Sequence, residues 1–186
     1  MTTLPPPDPG TYSLFDGFIR VARGTRAELL AFTQGSVPQA PVLRTFDDYT
    51  GCRIDLDARP PRPAAESASP RGPGRPRLGV VAREVTLLPR HWEWLALQPG
   101  GASVALRRLV EEARRTHAPR DAARAAREAA YRFMSAVAGD LPGFEEASRA
   151  LFAGDAGRFA AQVAGWPEDV RGYAQQLAAG AWEPAA

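Results

Sequence analysis

The feature that most constrains the fold is the order of β-favouring and helix-breaking residues between positions 83 and 116. Residues 83–88 read Arg-Glu-Val-Thr-Leu-Leu, a composition that predicts a short strand. Pro89 can open a helix, because the first helical residue needs no N–H donor. The Pro-Gly-Gly sequence at 99–101 ends that helix, and Ser103 is a good N-cap for the next. The order therefore predicts one strand followed by two helices.

Both predicted helices are apolar on one side only. In the first, Leu88, Trp92 and Leu95 share a face, so we expect Trp92 to fill a core. Trp94 lies off that face and is expected to make an exposed contact. The apolar stripe of the second helix consists of Leu106, Leu109, Val110 and Ala113. One strand and two helices cannot bury these faces alone, so the pattern predicts self-association.

This arrangement resembles the ribbon-helix-helix superfamily. The matching parts are the strand ending in Leu-Pro, the short first helix, the glycine-bearing loop with serine and the amphipathic second helix. The resemblance covers about a fifth of the chain. It implies an obligate homodimer in which residues 83–88 of two chains pair antiparallel and lie in the DNA major groove. Duplex DNA and a second copy of the chain are therefore the expected partners.

The predicted ribbon departs from the family pattern in its outward side chains. If Val85 and Leu87 point into the core, Glu84 and Thr86 point outward, and Arg83 lies on the inward side at the strand edge. Thr86 can contact a base edge, and Glu84 can accept a hydrogen bond from cytosine, but glutamate also repels phosphate. The pattern therefore supports a dimer better than it supports base reading.

The start of the second helix offers a phosphate contact. In the ribbon-helix-helix superfamily, backbone amides at this point bind phosphate, which the helix dipole favours. The resemblance assigns that role here to Ala102, Ser103 and Val104. The alternative is that Ser103 only caps the helix.

Positive charge is concentrated in the middle of the chain. Residues 59–127 carry 14 arginines and 6 acidic residues, a net charge of +8, between two acidic flanks. A basic region of this kind attracts a polyanion. Its Pro-Gly-Arg-Pro-Arg sequence resembles the AT-hook, whose arginines enter the DNA minor groove. Arg71, Arg75 and Arg77 are therefore candidate minor-groove or phosphate contacts.

The N-terminal part predicts a small β-α-β-β module. Residues 11–21 read as one long strand or as a hairpin, and Thr25 and Glu28 have the spacing of a helix capping box. Two further strands are expected around an acidic turn at 47–51, whose carboxylates are interpreted as solvated.

The C-terminal part predicts a helical module. Pro119 is expected to end the preceding helix, Asp155 to cap another, and Pro167 to open the last. The predicted fold class is α+β, with a β-α-β-β module, a central ribbon-helix-helix-like unit and a helical C-terminal module. Residues 1–10 are expected to be disordered, and residues 58–77 to form a Pro/Arg-rich linker. The three expected modules are the β-α-β-β module at 11–57, the ribbon-helix-helix-like unit at 78–118 and the helical module at 119–186.

Several classes of protein are disfavoured by composition. No apolar run is long enough for a membrane span, and the N-terminus lacks the pattern of a secretory signal. Cys52 is the single cysteine, which fits a reducing cytoplasm. No Gly-rich phosphate loop, nucleophile elbow or zinc signature is present, so we expect no enzyme activity, no metal and no other cofactor.

Most of the chain also resembles an uncharacterised bacterial family known only as a domain of unknown function. The segments that carry this likeness are 74–80, 83–95, 98–103 and 130–134. It implies no activity, so the functional hypothesis rests on the residues. The first hypothesis is a cytoplasmic, dimeric DNA-binding protein, a transcriptional regulator or an architectural factor associated with the nucleoid. The alternative is a protein-interaction module of antitoxin type, which uses residues 83–116 only to dimerise and binds a protein partner through its flanking modules.

Overall fold

The computed structural model describes residues 10–36, 43–56, 81 and 83–182. These residues form a four-stranded antiparallel sheet and six α-helices, so the predicted α+β class is confirmed. Within the described ranges, no helix combines the length and the apolar character that crossing a membrane requires. The elements in chain order are β1 (Tyr12–Asp16), β2 (Ile19–Gly24), α1 (Arg26–Ser36), β3 (Leu43–Asp47), β4 (Arg53–Ile54), α2 (Pro89–Ala96), α3 (Gly101–Val137), α4 (Phe144–Ala153), α5 (Ala156–Val163), α6 (Glu168–Leu177) and a 3-10 helix (Ala178–Gly180).

The N-terminal segment is a hairpin, which is one of the two alternatives that the sequence left open. The order is consequently β-β-α-β-β and not the predicted β-α-β-β. The strands lie in the order β2-β1-β3-β4, and the β1–β2 pairing shifts register between Leu14 and Phe15. Gly17, at φ +58°, provides the left-handed backbone that this tight turn needs.

Helix α1 begins with the predicted capping box. The Thr25 N–H donates to Glu28 Oε2 at 2.7 Å, and the Glu28 N–H donates to Thr25 Oγ1 at 3.4 Å. The hydrogen bond from the Thr25 backbone, assisted by its hydroxyl, holds the pKa of Glu28 below its ordinary value. The Thr25–Glu28 spacing alone was enough to place this helix start.

The chain divides into two compact units. One consists of residues 1–58 and 118–186, and the other of residues 59–117. In the first unit the sheet and the C-terminal helices share one core. Phe15 and Phe46 from the sheet pack against Phe133 of α3, and Tyr173 of α6 packs against Phe15 and Phe133. Ring centroids in these contacts lie 4.6 to 5.9 Å apart. Aromatic pairs at these distances contribute beyond their buried area.

A buried carboxylate lies at the edge of this core. Asp48 is fully buried, so its predicted solvated position is wrong. Its Oδ1 accepts the Tyr173 hydroxyl at 2.8 Å, and its Oδ2 accepts the Arg23 Nε–H at 2.7 Å. Burial, and then the negative charge of Asp48, raise the pKa of the Tyr173 phenol far above its ordinary value. The turn that contains Asp48 is present as expected, because Asp47 Oδ1 accepts the N–H groups of the two residues after Asp48.

Gly51, in the same turn, allows the turn to pack closely against α3. Gly51 has φ +65°, and a Cβ built on it would lie 2.0 Å from the carbonyl oxygen of Ala129. Arg132, one turn further along α3, donates to the Thr50 carbonyl at 3.0 Å. Only glycine permits this backbone conformation and this close approach together.

The predicted stop at Pro119 is wrong, because α3 continues from Gly101 to Val137 with Pro119 inside it. A proline in a helix interior removes one backbone hydrogen bond and costs about 3 kcal/mol. The residues on both sides are exposed, so the unpaired carbonyl can bind water. Alanine and arginine dominate the flanking sequence and favour the helix strongly enough to continue it. The division between the two units falls within this helix.

Two of the three shorter C-terminal helices start where the sequence predicts. Asp155 caps α5, and its Oδ1 accepts the Arg158 N–H at 2.9 Å. Pro167 stands at the N-cap of α6. The Trp166 indole N–H donates to the Pro142 carbonyl at 2.9 Å and thereby joins the loop before α4 to the loop before α6.

Candidate nucleic-acid and dimer interface

Residues 83–88, the predicted ribbon strand, have no regular secondary structure within one chain. The last of them, Leu88, has an extended backbone at φ −67° and ψ 150°. Leu88 also accepts the N–H groups of two residues in α2, whereas residues 83–87 make no backbone hydrogen bond with the described part of the chain. Arg83, Glu84 and Thr86 are all exposed. The pairing predicted for this segment is between two chains and stays a prediction.

Helix α2 begins at Pro89, as the sequence predicts, but buries little of its apolar surface. Leu95 is buried, whereas Trp92 is 42% exposed and Trp94 is 48% exposed. The expectation that Trp92 fills a core is therefore wrong for the single chain. The physical reason is size: the described residues of this unit form only two helices, which cannot cover both flanks of α2.

An apolar groove of about 270 Å³ lies in this unit. Its lining consists of Leu87, His91, Trp94, Leu95, Leu106 and Leu109. The lining includes His91, for which no apolar contact was predicted. The signal was available, because His91, Trp94 and Leu95 are spaced i, i+3 and i+4 on α2.

Helix α3 starts earlier than predicted. Gly100 and Gly101 have φ +83° and +76°, and the helix begins at Gly101, so Ser103 lies in the first turn and is not the N-cap. The Gly101 N–H donates to the Gln98 carbonyl at 3.0 Å. The amides of Ala102, Ser103 and Val104 therefore belong to the first turn, where backbone donors commonly lack an intrahelical acceptor.

The middle of α3 has no tertiary cover among the described residues. Every residue from 107 to 122 is exposed, a stretch of about 24 Å at a rise of about 1.5 Å per residue. Leu109 and Val110, from the predicted apolar stripe, are 39% and 54% exposed. A helix with large apolar side chains facing water presents a surface for association.

The linker arginines Arg71, Arg75 and Arg77 lie outside the described residues. Their minor-groove role therefore stays a prediction from the sequence.

The model of a bacterial family, described as "Uncharacterized protein conserved in bacteria (DUF2239)", matches residues 11–178. No curated protein and no solved structure matched the chain. The family match covers both compact units and well over half of the sequence. The chain therefore belongs to this family of uncharacterised bacterial proteins.

Proposed function

We propose that this chain is a dimeric DNA-binding protein, acting as a transcriptional regulator or an architectural factor. One observation carries the proposal: the segment 83–88 pairs with no strand in the described part of the chain, and large apolar side chains of α2 and α3 are exposed beside it. An unpaired segment of this kind is a template for pairing with another chain.

A second copy of the chain is the occupant that fits this surface. Residues 83–88 of two chains would pair antiparallel, in the manner of the ribbon-helix-helix superfamily, and supply backbone hydrogen bonds that residues 83–87 do not make with the described part of their own chain. The same pairing would bring two apolar grooves together. Burying apolar surface contributes about 25 cal/mol per Å² removed from water, so covering side chains such as Trp94 and Leu109 favours a stable dimer.

DNA is the partner that fits the charge. The net charge of +8 over residues 59–127 favours a polyanion, and the sequence that resembles an AT-hook lies five residues before the ribbon segment. The first-turn amides of Ala102, Ser103 and Val104 support a phosphate contact, because a helix N-terminus carries partial positive charge.

A protein-interaction module that dimerises without binding DNA is the second candidate. The exposed carboxylate of Glu84 favours it, because a negative charge on the ribbon would repel phosphate. The two candidates share the dimer and differ in their affinity for duplex DNA.

Self-association is tested by sedimentation equilibrium of the full chain and two variants. Val110→Arg places a charge on the exposed apolar stripe of α3 and should shift the protein toward monomer. Phe18→Arg is the matched control, because Phe18 is 42% exposed at the β1–β2 turn and lies outside the proposed interface. A wild-type monomer at all concentrations, or equal dimerisation of both variants, contradicts the proposed interface.

DNA binding is tested by fluorescence anisotropy with AT-rich and GC-rich duplexes across a salt series. For each phosphate contact, the logarithm of the affinity should fall by about 0.9 per tenfold rise in salt. Arg75→Ala/Arg77→Ala should weaken binding to the AT-rich duplex, whereas Arg59→Ala/Arg62→Ala removes equal charge from the same linker and should weaken it less. A dimer with no affinity for duplex DNA at low salt refutes DNA binding and leaves the protein-interaction module.

A further inference from the structure

The exposed part of α3 carries two arginine pairs on one side. Arg107 and Arg108 are followed seven residues later by Arg114 and Arg115. Seven residues make almost two full helical turns, so the second pair lies nearly in line with the first along the helix. We refer to these four residues as the basic face of α3.

The basic face is turned away from the centre of the apolar stripe. At about 100° per residue, the mean direction of the four arginines lies about 150° around the helix from that of the stripe, but Val110 lies at its margin, one turn from both Arg107 and Arg114. A second copy that covers Leu106 and Leu109 would therefore leave the far part of the basic face, Arg108 and Arg115, open to solvent.

Among the described residues, one of the four arginines forms an ion pair, although Glu111 and Glu112 lie between the two pairs in the sequence. Arg114 donates to Glu111 at 2.8 Å, but Arg107, Arg108 and Arg115 have no ion-pair partner within the described ranges. All four side chains are exposed. Because an exposed pair such as Arg114–Glu111 contributes at most about 1 kcal/mol, a stronger anion can displace the glutamate.

The spacing of the two pairs suits a phosphate backbone. Two turns of helix separate them by about 10 Å, and duplex DNA carries about six charges over that length of its axis. A guanidinium binds phosphate through two parallel hydrogen bonds and is less strongly hydrated than an ammonium group. Four guanidinium groups along about 10 Å can therefore contact several phosphates at once.

We propose that the basic face of α3 binds the sugar–phosphate backbone of duplex DNA. The proposal rests on the proposed function, because it locates part of the affinity for the same ligand. It differs from the predicted contacts at the linker and at the helix start, and it requires no base reading by the ribbon. Its contribution is independent of sequence, since phosphates present the same charge at every base pair.

The test compares the salt dependence of duplex binding among variants of the full chain. Arg107→Ala/Arg108→Ala and Arg114→Ala/Arg115→Ala should each reduce the salt slope by up to about 1.8, which corresponds to two lost phosphate contacts. Both should weaken AT-rich and GC-rich duplexes equally. Arg107→Lys/Arg108→Lys keeps the charge and should retain most of the slope. Alanine is the better helix former, and circular dichroism checks that α3 persists.

The matched control is Arg149→Ala/Arg158→Ala, which removes the same charge from exposed arginines of the other unit. It should leave the salt slope unchanged. Glu111→Gln removes the acid within the basic face and should strengthen binding. If the wild type binds DNA but both alanine variants keep its slope, or if the control lowers the slope as much, the inference fails and the proposed function stands. If the wild type does not bind at low salt, the proposed function itself fails.

Discussion

Replacing Tyr173 by phenylalanine isolates one buried hydrogen bond. The Tyr173 hydroxyl donates to Asp48 Oδ1 at 2.8 Å across 125 positions of sequence, and both side chains are almost fully buried. Phenylalanine fills the same space, so the ring keeps its contacts with Phe15 and Phe133 and no cavity forms. The change therefore removes a donor from a buried carboxylate and alters little else.

The expected cost follows from the charge of the acceptor. A hydrogen bond to a charged group contributes about 1.5–3 kcal/mol to the free energy of unfolding. Asp48 keeps its bond to Arg23 at 2.7 Å, but Arg23 is 46% exposed, so water screens that pair and compensates for little of the loss. In a chain of this size, each kcal/mol changes Tm by about 2–4 °C, which gives a decrease of roughly 3–12 °C for Tyr173→Phe.

The measurement is urea unfolding followed by circular dichroism and tryptophan fluorescence, with a thermal scan beside it. Tyr49→Phe is the matched control, because Tyr49 is 59% exposed in the same turn as Asp48, and it should change stability by less than about 0.5 kcal/mol. Should Tyr173→Phe unfold at the same urea concentration as the wild type, the reasoning about the buried carboxylate is refuted.

Three further predictions concern backbone strain, alkaline pH and the helix proline. Gly51→Ala should lower the free energy of unfolding by about 2–6 kcal/mol, because strain at positive φ adds to the clash with Ala129. Gly17→Ala should lower it by only about 1–3 kcal/mol, because no atom lies within 4 Å of the added Cβ and strain is the whole cost. Equal losses in urea unfolding would contradict the close approach at Gly51. The pKa of Tyr173 is higher in the folded state than the unfolded value of about 10. The contribution of the protonated phenol to the free energy of unfolding is therefore intact below that pH and is lost as pH rises above it. The urea midpoint should fall less steeply with alkaline pH in Tyr173→Phe than in the wild type. Pro119→Ala should stabilise α3 by up to about 3 kcal/mol, seen as slower hydrogen exchange around that position, and unchanged exchange would show that the proline costs nothing there.

Local signals in the sequence identified most helix starts. The Thr25–Glu28 capping box, the cap at Asp155 and the prolines at the starts of α2 and α6 all act within a few residues of themselves. Such interactions do not depend on the rest of the fold, so sequence spacing is sufficient to predict them.

Predictions failed where a longer-range balance decides the outcome. Pro119 should end a helix by its own chemistry, but the helix-forming residues on both sides outweigh it. Trp92 should be buried by its apolar character, but the described helices of its unit are too few to cover it. The basic face of α3 lies within the helix that the sequence predicts, but only the structure shows that its four arginines are exposed and that Arg114 alone among them forms an ion pair within the described residues.

By itself the sequence determined the α+β class, the central basic region and the starts of most helices. The strand predicted at 83–88 stays a prediction. The tertiary structure decided which distant residues meet. It placed Asp48 against Tyr173 and Gly51 against Ala129, so that the sheet and the C-terminal helices share one core. No local pattern encodes such contacts, because they depend on how the whole chain packs and not on the preferences of neighbouring residues. For the same reason, only the tertiary structure shows which side chains of α2 and α3 are exposed.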